Sequence, residues 1–146
     1  MENDVAVLDL CREAKPPFSP ADVSKEFADV VKFYGLREVT GDSYGGQWPV
    51  EMWAEHGVRY VHSGMVRSDL YLALLPMIHA GQCELLDNRT LRTQLEGLDR
   101  KTARSGRDSV DHSPGGHDDV SNSAAGALVM CRDYQRMQVG VQRMDW

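Results

Sequence analysis

The sequence predicts an α/β layered domain with a mixed, mainly parallel sheet. Short segments of β-branched or alternating character are interleaved with longer segments whose apolar residues recur at helical spacing. The resulting order is β-α-β-α-β-α-β-α, then a hairpin, then a last helix, and strands separated by helices pair in parallel. At 146 residues the chain has the length of one domain with a sizeable core, and no repeat or low-complexity tract interrupts it.

Residues 4–13 read as the first strand, from the β-branched start and partial alternation of Val5, Val7, Leu8 and Leu10. Pro16 and Pro17 stop it, because consecutive prolines cannot continue a ladder. Ser19 then supplies an N-cap and Pro20 the first helical position. The helix carries Val23, Phe27, Val30, Val31 and Tyr34 on one face and ends at Gly35. A short strand follows over residues 36–42 and opens into the turn Ser43-Tyr44-Gly45-Gly46. Residues 48–56 form a short helix stopped by Gly57, and residues 58–62 form another strand. A longer helix spans residues 63–81, with Val66, Leu70, Leu74 and Met77 on one face, Leu75 and Ile78 widening it, and a kink or early end expected at Pro76. Residues 84–87 are extended. Asp87 or Asn88 caps a helix carrying Leu91, Leu95 and Leu98. Ser105-Gly106 turns a hairpin whose returning arm holds Val110 and His112. A helix rich in small residues closes the domain, expected over residues 1–132, and residues 133–146 read as a polar C-terminal tail.

Composition narrows the function classes. The net charge of −6 carries no whole-chain basic signature for nucleic acid, although a metal-binding carboxylate cluster would itself add negative charge. Cys11, Cys83 and Cys131 are far apart and form no zinc spacing, which fits small hydrophobes in a reduced, intracellular protein. The acidic start has no secretory pattern, no apolar run approaches a membrane span, so no membrane partner is expected, and no GxxxxGK[ST] phosphate loop occurs.

The densest chemistry lies in Ser113-Pro114-Gly115-Gly116-His117-Asp118-Asp119. A glycine-rich turn leads into the last helix, with two carboxylates at its start and Asp108, Asp111 and His112 just upstream. One acid at a helix start is explained by capping and the helix dipole. Two acids beside imidazoles also suit Mg²⁺ or Mn²⁺, which take hard oxygen ligands. Asp42, at the C-terminal end of a strand, stands where α/β folds place active sites, and equally where a turn aspartate would bond nearby backbone N–H groups. Arg100, Lys101, Arg104 and Arg107 make the one basic patch of an acidic chain, read either as a phosphate-contacting hairpin or as a solvated loop.

These motifs, in this order, are similar to a known family. Val39-Thr40-Gly41-Asp42-Ser43-Tyr44-Gly45-Gly46, Leu85-Leu86-Asp87, Gln94-Leu95, residues 105–112 and Gly115-Gly116-His117-Asp118-Asp119, with the turn Pro17-Phe18-Ser19-Pro20, resemble the C-terminal nuclease domain of the large terminase subunit of tailed double-stranded-DNA bacteriophages. The resemblance runs from about Val5 to Val129. It implies a ribonuclease-H-like fold and a metal-dependent endonuclease that cuts concatemeric phage DNA during genome packaging. Asp42 matches the family's second acid and the Asp118-Asp119 pair its third, so these three are the expected ligands of Mg²⁺ or Mn²⁺. In two-metal hydrolysis, ions roughly 4 Å apart flank the scissile phosphate, one activating water and the other steadying the leaving oxygen. His117 would tune a ligand, contact phosphate or shuttle a proton, or else only hydrogen-bond the turn. The basic hairpin would grip duplex DNA. Other terminase subunits or the portal are the further implied partners, and the implied setting is the cytoplasm of a bacterial host, from a phage or prophage gene.

The family's first acid lies on a strand that precedes residue 5 and has no counterpart here, nor has the ATPase motor domain. The chain therefore reads as an N-terminally truncated fragment, weak or inactive as a nuclease when isolated. The competing readings are an inactive prophage remnant that folds or binds DNA, a resolvase of the same fold class, and an interaction module whose aspartates are caps.

Overall fold

The computed structural model of the chain describes residues 5–44 and 46–143, with side chains as far as Tyr134. In chain order the elements are β1 (Ala6–Val7), α1 (Pro20–Phe33), β2 (Glu38–Gly41), α2 (Trp48–Glu55), β3 (Arg59–His62), α3 (Arg67–His79), β4 (Cys83–Glu84), α4 (Arg89–Glu96), β5 (Leu98–Thr102), β6 (Asp108–His112) and α5 (Asp119–Arg143). The sheet structure is mixed. β1 pairs with β4 and β2 with β3, both in parallel, while β5 and β6 form an antiparallel hairpin. The chain divides into two compact units: the larger joins the segment up to Arg12 with the chain from Arg67 onward, and the smaller is Glu13–Val66.

The larger unit is built on one apolar core. Ala6 and Leu8 from the β1 segment, Leu70, Tyr71, Leu74 and Met77 from α3, Leu91 from α4, and Val120, Ala124, Ala125, Leu128 and Val129 from α5 are buried together. The small residues of α5 have a packing purpose. Ala124 and Ala125 are buried, and Gly126 faces Leu70 of α3, where an added Cβ would stand in ordinary contact at 3.8 Å from Leu70 Cδ1. Ser68 Oγ fastens the hairpin to α3 by accepting the Val110 N–H at 2.9 Å.

Local signals account for most element ends. Ser19 Oγ accepts from the Asp22 N–H at the start of α1, and Asn88 Oδ1 accepts from the Leu91 N–H at 2.9 Å at the start of α4. The hairpin loop closes through Gly106 at φ 79°, which places Arg104 at its tip.

Five expectations are corrected. The first strand shrinks to Ala6–Val7, because its partner is only two residues long, although Leu8 N–H extends the pairing to the Glu84 carbonyl at 3.0 Å. The predicted apolar stripe of α1 is only part-buried, with Tyr34 exposed; the buried positions are the small Ser24 and Ala28. Pro76 does not end α3. It lies on the exposed side, and the helix runs on to His79, closing with Ala80 N–H on the Pro76 carbonyl at 3.0 Å. Val66, expected on the buried face of that helix, lies just before α3 and is exposed. Residues 133–143, expected in the polar tail, continue α5 as helical backbone, and residues 144–146 lie outside the described residues.

Candidate functional site

Ser113-Pro114-Gly115-Gly116 makes the turn that delivers the carboxylate pair. Gly116 N–H donates to the Ser113 carbonyl at 2.9 Å, and Gly115 adopts φ 78° in the third position behind a proline, the type II pattern. Gly115 is favoured by its left-handed φ, and a side chain on Gly116 would press tightly to 3.0 Å from the Ser113 carbonyl oxygen. The chain then enters α5 at Asp119, and the Asp118 carbonyl accepts the first helical bond from Asn122 N–H at 2.7 Å.

Asp118 stands in the N-cap place, yet its side chain does not cap. The Ser121 N–H is instead taken by Gln94 Oε1 from α4 at 2.9 Å. The Asp118 carboxylate points into the protein and is buried, with its side chain 6% exposed. Both of its oxygens are engaged. Arg67 Nη1 donates to Oδ1 at 3.1 Å, and the Tyr71 hydroxyl donates to Oδ2 at 3.0 Å while lying 2.8 Å from Ser121 Oγ. The other terminal nitrogen of Arg67, Nη2, donates to Oδ1 of Asp111 at 2.9 Å. Arg67 is thus a bridge between one buried and one exposed carboxylate. Burial pushes the Tyr71 phenol well above its ordinary pKa, which keeps it a hydrogen-bond donor at any physiological pH.

The predicted site residues fall in different settings. Asp119 is exposed at the first position of α5, and His117 is exposed one residue ahead of Asp118. His112 Nδ1 donates to the Ser113 carbonyl at 2.9 Å, which commits that imidazole to the turn. Asp42 belongs to the smaller unit. It is exposed, its Oδ1 accepts the Tyr44 N–H at 3.1 Å as a turn aspartate does, and its carbonyl accepts from the Tyr60 hydroxyl at 2.7 Å. Gly41 before it leaves room for the Tyr60 ring, since a Cβ there would stand 2.1 Å from Tyr60 Oη and force that ring to shift. Burial lifts the Tyr60 phenol above its usual pKa, and the Asp42 charge adds to the lift.

Of the hairpin cations, Arg100 is committed. It pairs with Asp108, whose carboxyl the Thr102 hydroxyl, at 2.6 Å, and Arg100 together hold below the usual carboxylate range. Lys101, Arg104 and Arg107 are exposed and form no ion pair among the described residues.

Arg67, Tyr71 and Ser121 escape a reading of the sequence. Arg67 and Tyr71 are four residues apart and so share a face of α3, next to the buried stripe of Leu70 and Leu74, and that spacing is the only available signal. Their partner is about fifty positions further along the chain.

Carboxylates are the donors a hard divalent ion takes, and Asp111 and Asp118 converge on one cationic position. That position is filled by a guanidinium. Among the described residues, no group of three or more His, Cys, Asp or Glu side chains is gathered to hold an ion.

No protein-family model and no curated protein matches the chain. Solved structures do. The large terminase nuclease from thermophilic phage G20c superposes with a TM-score of 0.63 at 23% identity, covering 75% of this chain and 61% of that one. Its cobalt-bound form matches at TM-score 0.62 and 23% identity over 77% of this chain and 62% of that one. The magnesium-bound form matches at 0.62 and 22% identity over the same shares, 77% and 62%. The chain has the ribonuclease-H-like fold of a terminase nuclease domain and spans about three fifths of the nucleases it matches. Among the described residues, no helix is long and apolar enough to cross a membrane.

Proposed function

We propose that the chain is an endonuclease domain of the terminase type, acting on the phosphodiester backbone of double-stranded DNA as in the cutting of concatemeric phage DNA during packaging. The reading rests on one observation above the rest: an inward-facing, buried carboxylate, Asp118, at the start of the last helix of a nuclease fold. The crystals of a similar nuclease with cobalt and with magnesium support use of a divalent ion. In this reading Asp118 and Asp119, at the start of α5, would hold Mg²⁺ or Mn²⁺, and Asp42 is a separate candidate ligand. The ion, when bound, supplies Lewis-acid stabilisation of phosphate charge and an acidified water.

The protein's own groups do the rest. Lys101, Arg104 and Arg107 neutralise backbone phosphates without reading sequence, while Arg100 keeps the two hairpin strands in register through Asp108. His117, which is exposed, would meet a phosphate oxygen or carry a proton. Tyr71 fixes the orientation of Asp118 through Oδ2. Other terminase subunits or the portal would be partners of such a domain, in the cytoplasm of a bacterial host.

The test is plasmid cleavage by the purified chain with Mg²⁺ or Mn²⁺, beside DNA binding at several salt concentrations. Expected of a chain that is a weak nuclease when isolated is slow metal-dependent nicking that falls about a hundredfold or more in Asp42→Ala and Asp118→Asn, by analogy with loss of one preorganised stabilising group, and binding that weakens with salt and with Lys101→Ala, Arg104→Ala and Arg107→Ala together. Binding without any cleavage would reduce the function to that of a DNA-binding remnant. Loss of neither in any variant would sink the reading.

A further inference from the structure

Arg67 is the feature that the nuclease reading leaves without a task. A divalent ion needs carboxylate oxygens, yet Oδ1 of the buried Asp118 already faces a guanidinium nitrogen at 3.1 Å. The same guanidinium reaches the exposed Asp111 at 2.9 Å, and the Arg67 side chain is itself 41% exposed. So Arg67 has one foot on the buried oxygen and one in solvent. Tyr71, by contrast, is buried and holds the other Asp118 oxygen, Oδ2, from inside the core. The two donors differ in what they can do: Tyr71 cannot leave without exposing core, whereas Arg67 can pivot on Asp111 into water.

We propose that Arg67 is a built-in counter-ion that competes with a divalent cation for the Oδ1 atom of Asp118, so that the carboxylate is withheld from metal while the guanidinium stays paired. This deepens the reading above and rests on it. The physical ground is charge balance. A buried carboxylate needs a compensating positive charge, and removing one partner of such a pair strands the other. Either cation satisfies Asp118, and the two cannot share the same oxygen in the same place. Arg67 therefore keeps the cluster folded without metal and lowers its apparent affinity for metal, since a ligand must first displace the pairing that is populated. Asp111 sets the balance from outside, because it holds the guanidinium near Asp118 and also gives it somewhere to go.

The test measures Mn²⁺ binding to the purified chain by the loss of the free-ion paramagnetic resonance signal, beside thermal unfolding with and without Mn²⁺. The proteins are wild type, Arg67→Gln, Arg67→Lys and the double variant Arg67→Gln/Asp118→Asn. Without metal, Arg67→Gln is expected to melt below wild type. With Mn²⁺ it is expected to bind about tenfold more tightly than wild type and to recover the lost midpoint, as binding to the folded state requires. Arg67→Lys keeps a charge but loses the two-pronged grip, so without metal it melts between Arg67→Gln and wild type and with Mn²⁺ shows an intermediate gain. In the double variant the gain vanishes. Equal Mn²⁺ affinity in wild type and both single variants, with binding lost in the double variant, would overturn the competition and leave the metal reading standing. A gain that persists in the double variant would also overturn it, by placing the ion elsewhere. No Mn²⁺ bound by any protein would remove both readings.

Discussion

The two units of the chain are held by different means. In the larger unit twelve buried apolar side chains from the β1 segment, α3, α4 and α5 form one continuous core. In the smaller unit the buried residues among those described are Ala28, Val58 and Ser24, while Phe18, Phe33, Tyr34, Leu36, Trp48 and Val66 are exposed. Apolar burial is the dominant favourable term in folding, so the larger unit owes its shape to its core. The smaller unit owes more to backbone pairing of β2 with β3, to caps and to specific polar contacts such as Ser24 Oγ with His56 Nε2 at 3.2 Å. The lesson concerns the candidate carboxylates. Asp118 is set by a rigid environment, whereas Asp42 is set by a turn.

The largest effect that sharpens this contrast is a pair of core truncations. Leu128→Ala should cost about 2–5 kcal/mol, as a fully buried leucine does, whereas Val58→Ala removes two methyl groups worth about 1.6 kcal/mol at roughly 0.8 each. Urea unfolding followed by amide exchange would show the first loss spread over α3, α4 and α5 and the second confined to the β2–β3 neighbourhood. Equal losses would erase the distinction.

Next comes Tyr71→Phe, which leaves the buried Asp118 Oδ2 without its donor. A lost hydrogen bond to a charged group is worth about 1.5–3 kcal/mol. The pH dependence has a definite sign. Because the folded-state pKa of Tyr71 is raised, its contribution is complete below the ordinary phenol value near 10 and is lost as pH climbs above it. Wild type should therefore weaken in alkali more steeply than Tyr71→Phe in midpoint-against-pH curves, and parallel curves would contradict the assignment.

Gly41→Ala tests the smaller unit. The new methyl collides with the Tyr60 ring, for which an overpacking cost of about 1–3 kcal/mol is expected. Tyr60→Phe removes the closest of the three colliding atoms and leaves two ring carbons in place, so it should recover only part of it in the double variant.

The smallest effects are the caps. Asn88→Ala should cost about 1 kcal/mol and Ser19→Ala less, since the Asn88 bond is 2.9 Å and the Ser19 bond 3.4 Å. Thermal midpoints that reverse this order would show that cap geometry does not decide the difference.

Much of the fold could be read from local chemistry. Ser19-Pro20, Gly35, Gly57, Asn88 and Gly106 mark element ends because each acts on its immediate neighbours. The apolar stripe of α1 misled because period alone does not say which face is covered; Ser24 and Ala28 are buried there for their small size. The site was legible in part. Asp118 and Asp119 announce themselves by position at a helix start, but the inward turn of Asp118 depends on Gln94, Arg67 and Tyr71, none of which is near it in sequence. Likewise Arg100 reads as one more free cation until the hairpin register sets it against Asp108.

The Gln94 bond to the Ser121 N–H also has an evolutionary consequence. A helix whose opening amide is satisfied by a neighbouring helix is insulated from changes in its own leading residue. The carboxylate at position 118 is thereby released from capping and can turn inward while α5 keeps its start, provided position 94 keeps an acceptor. In a set of diverged sequences, an inward-facing aspartate at 118 should occur beside glutamine at 94, and replacement of that glutamine should coincide with serine, threonine or aspartate returning to the ordinary capping role.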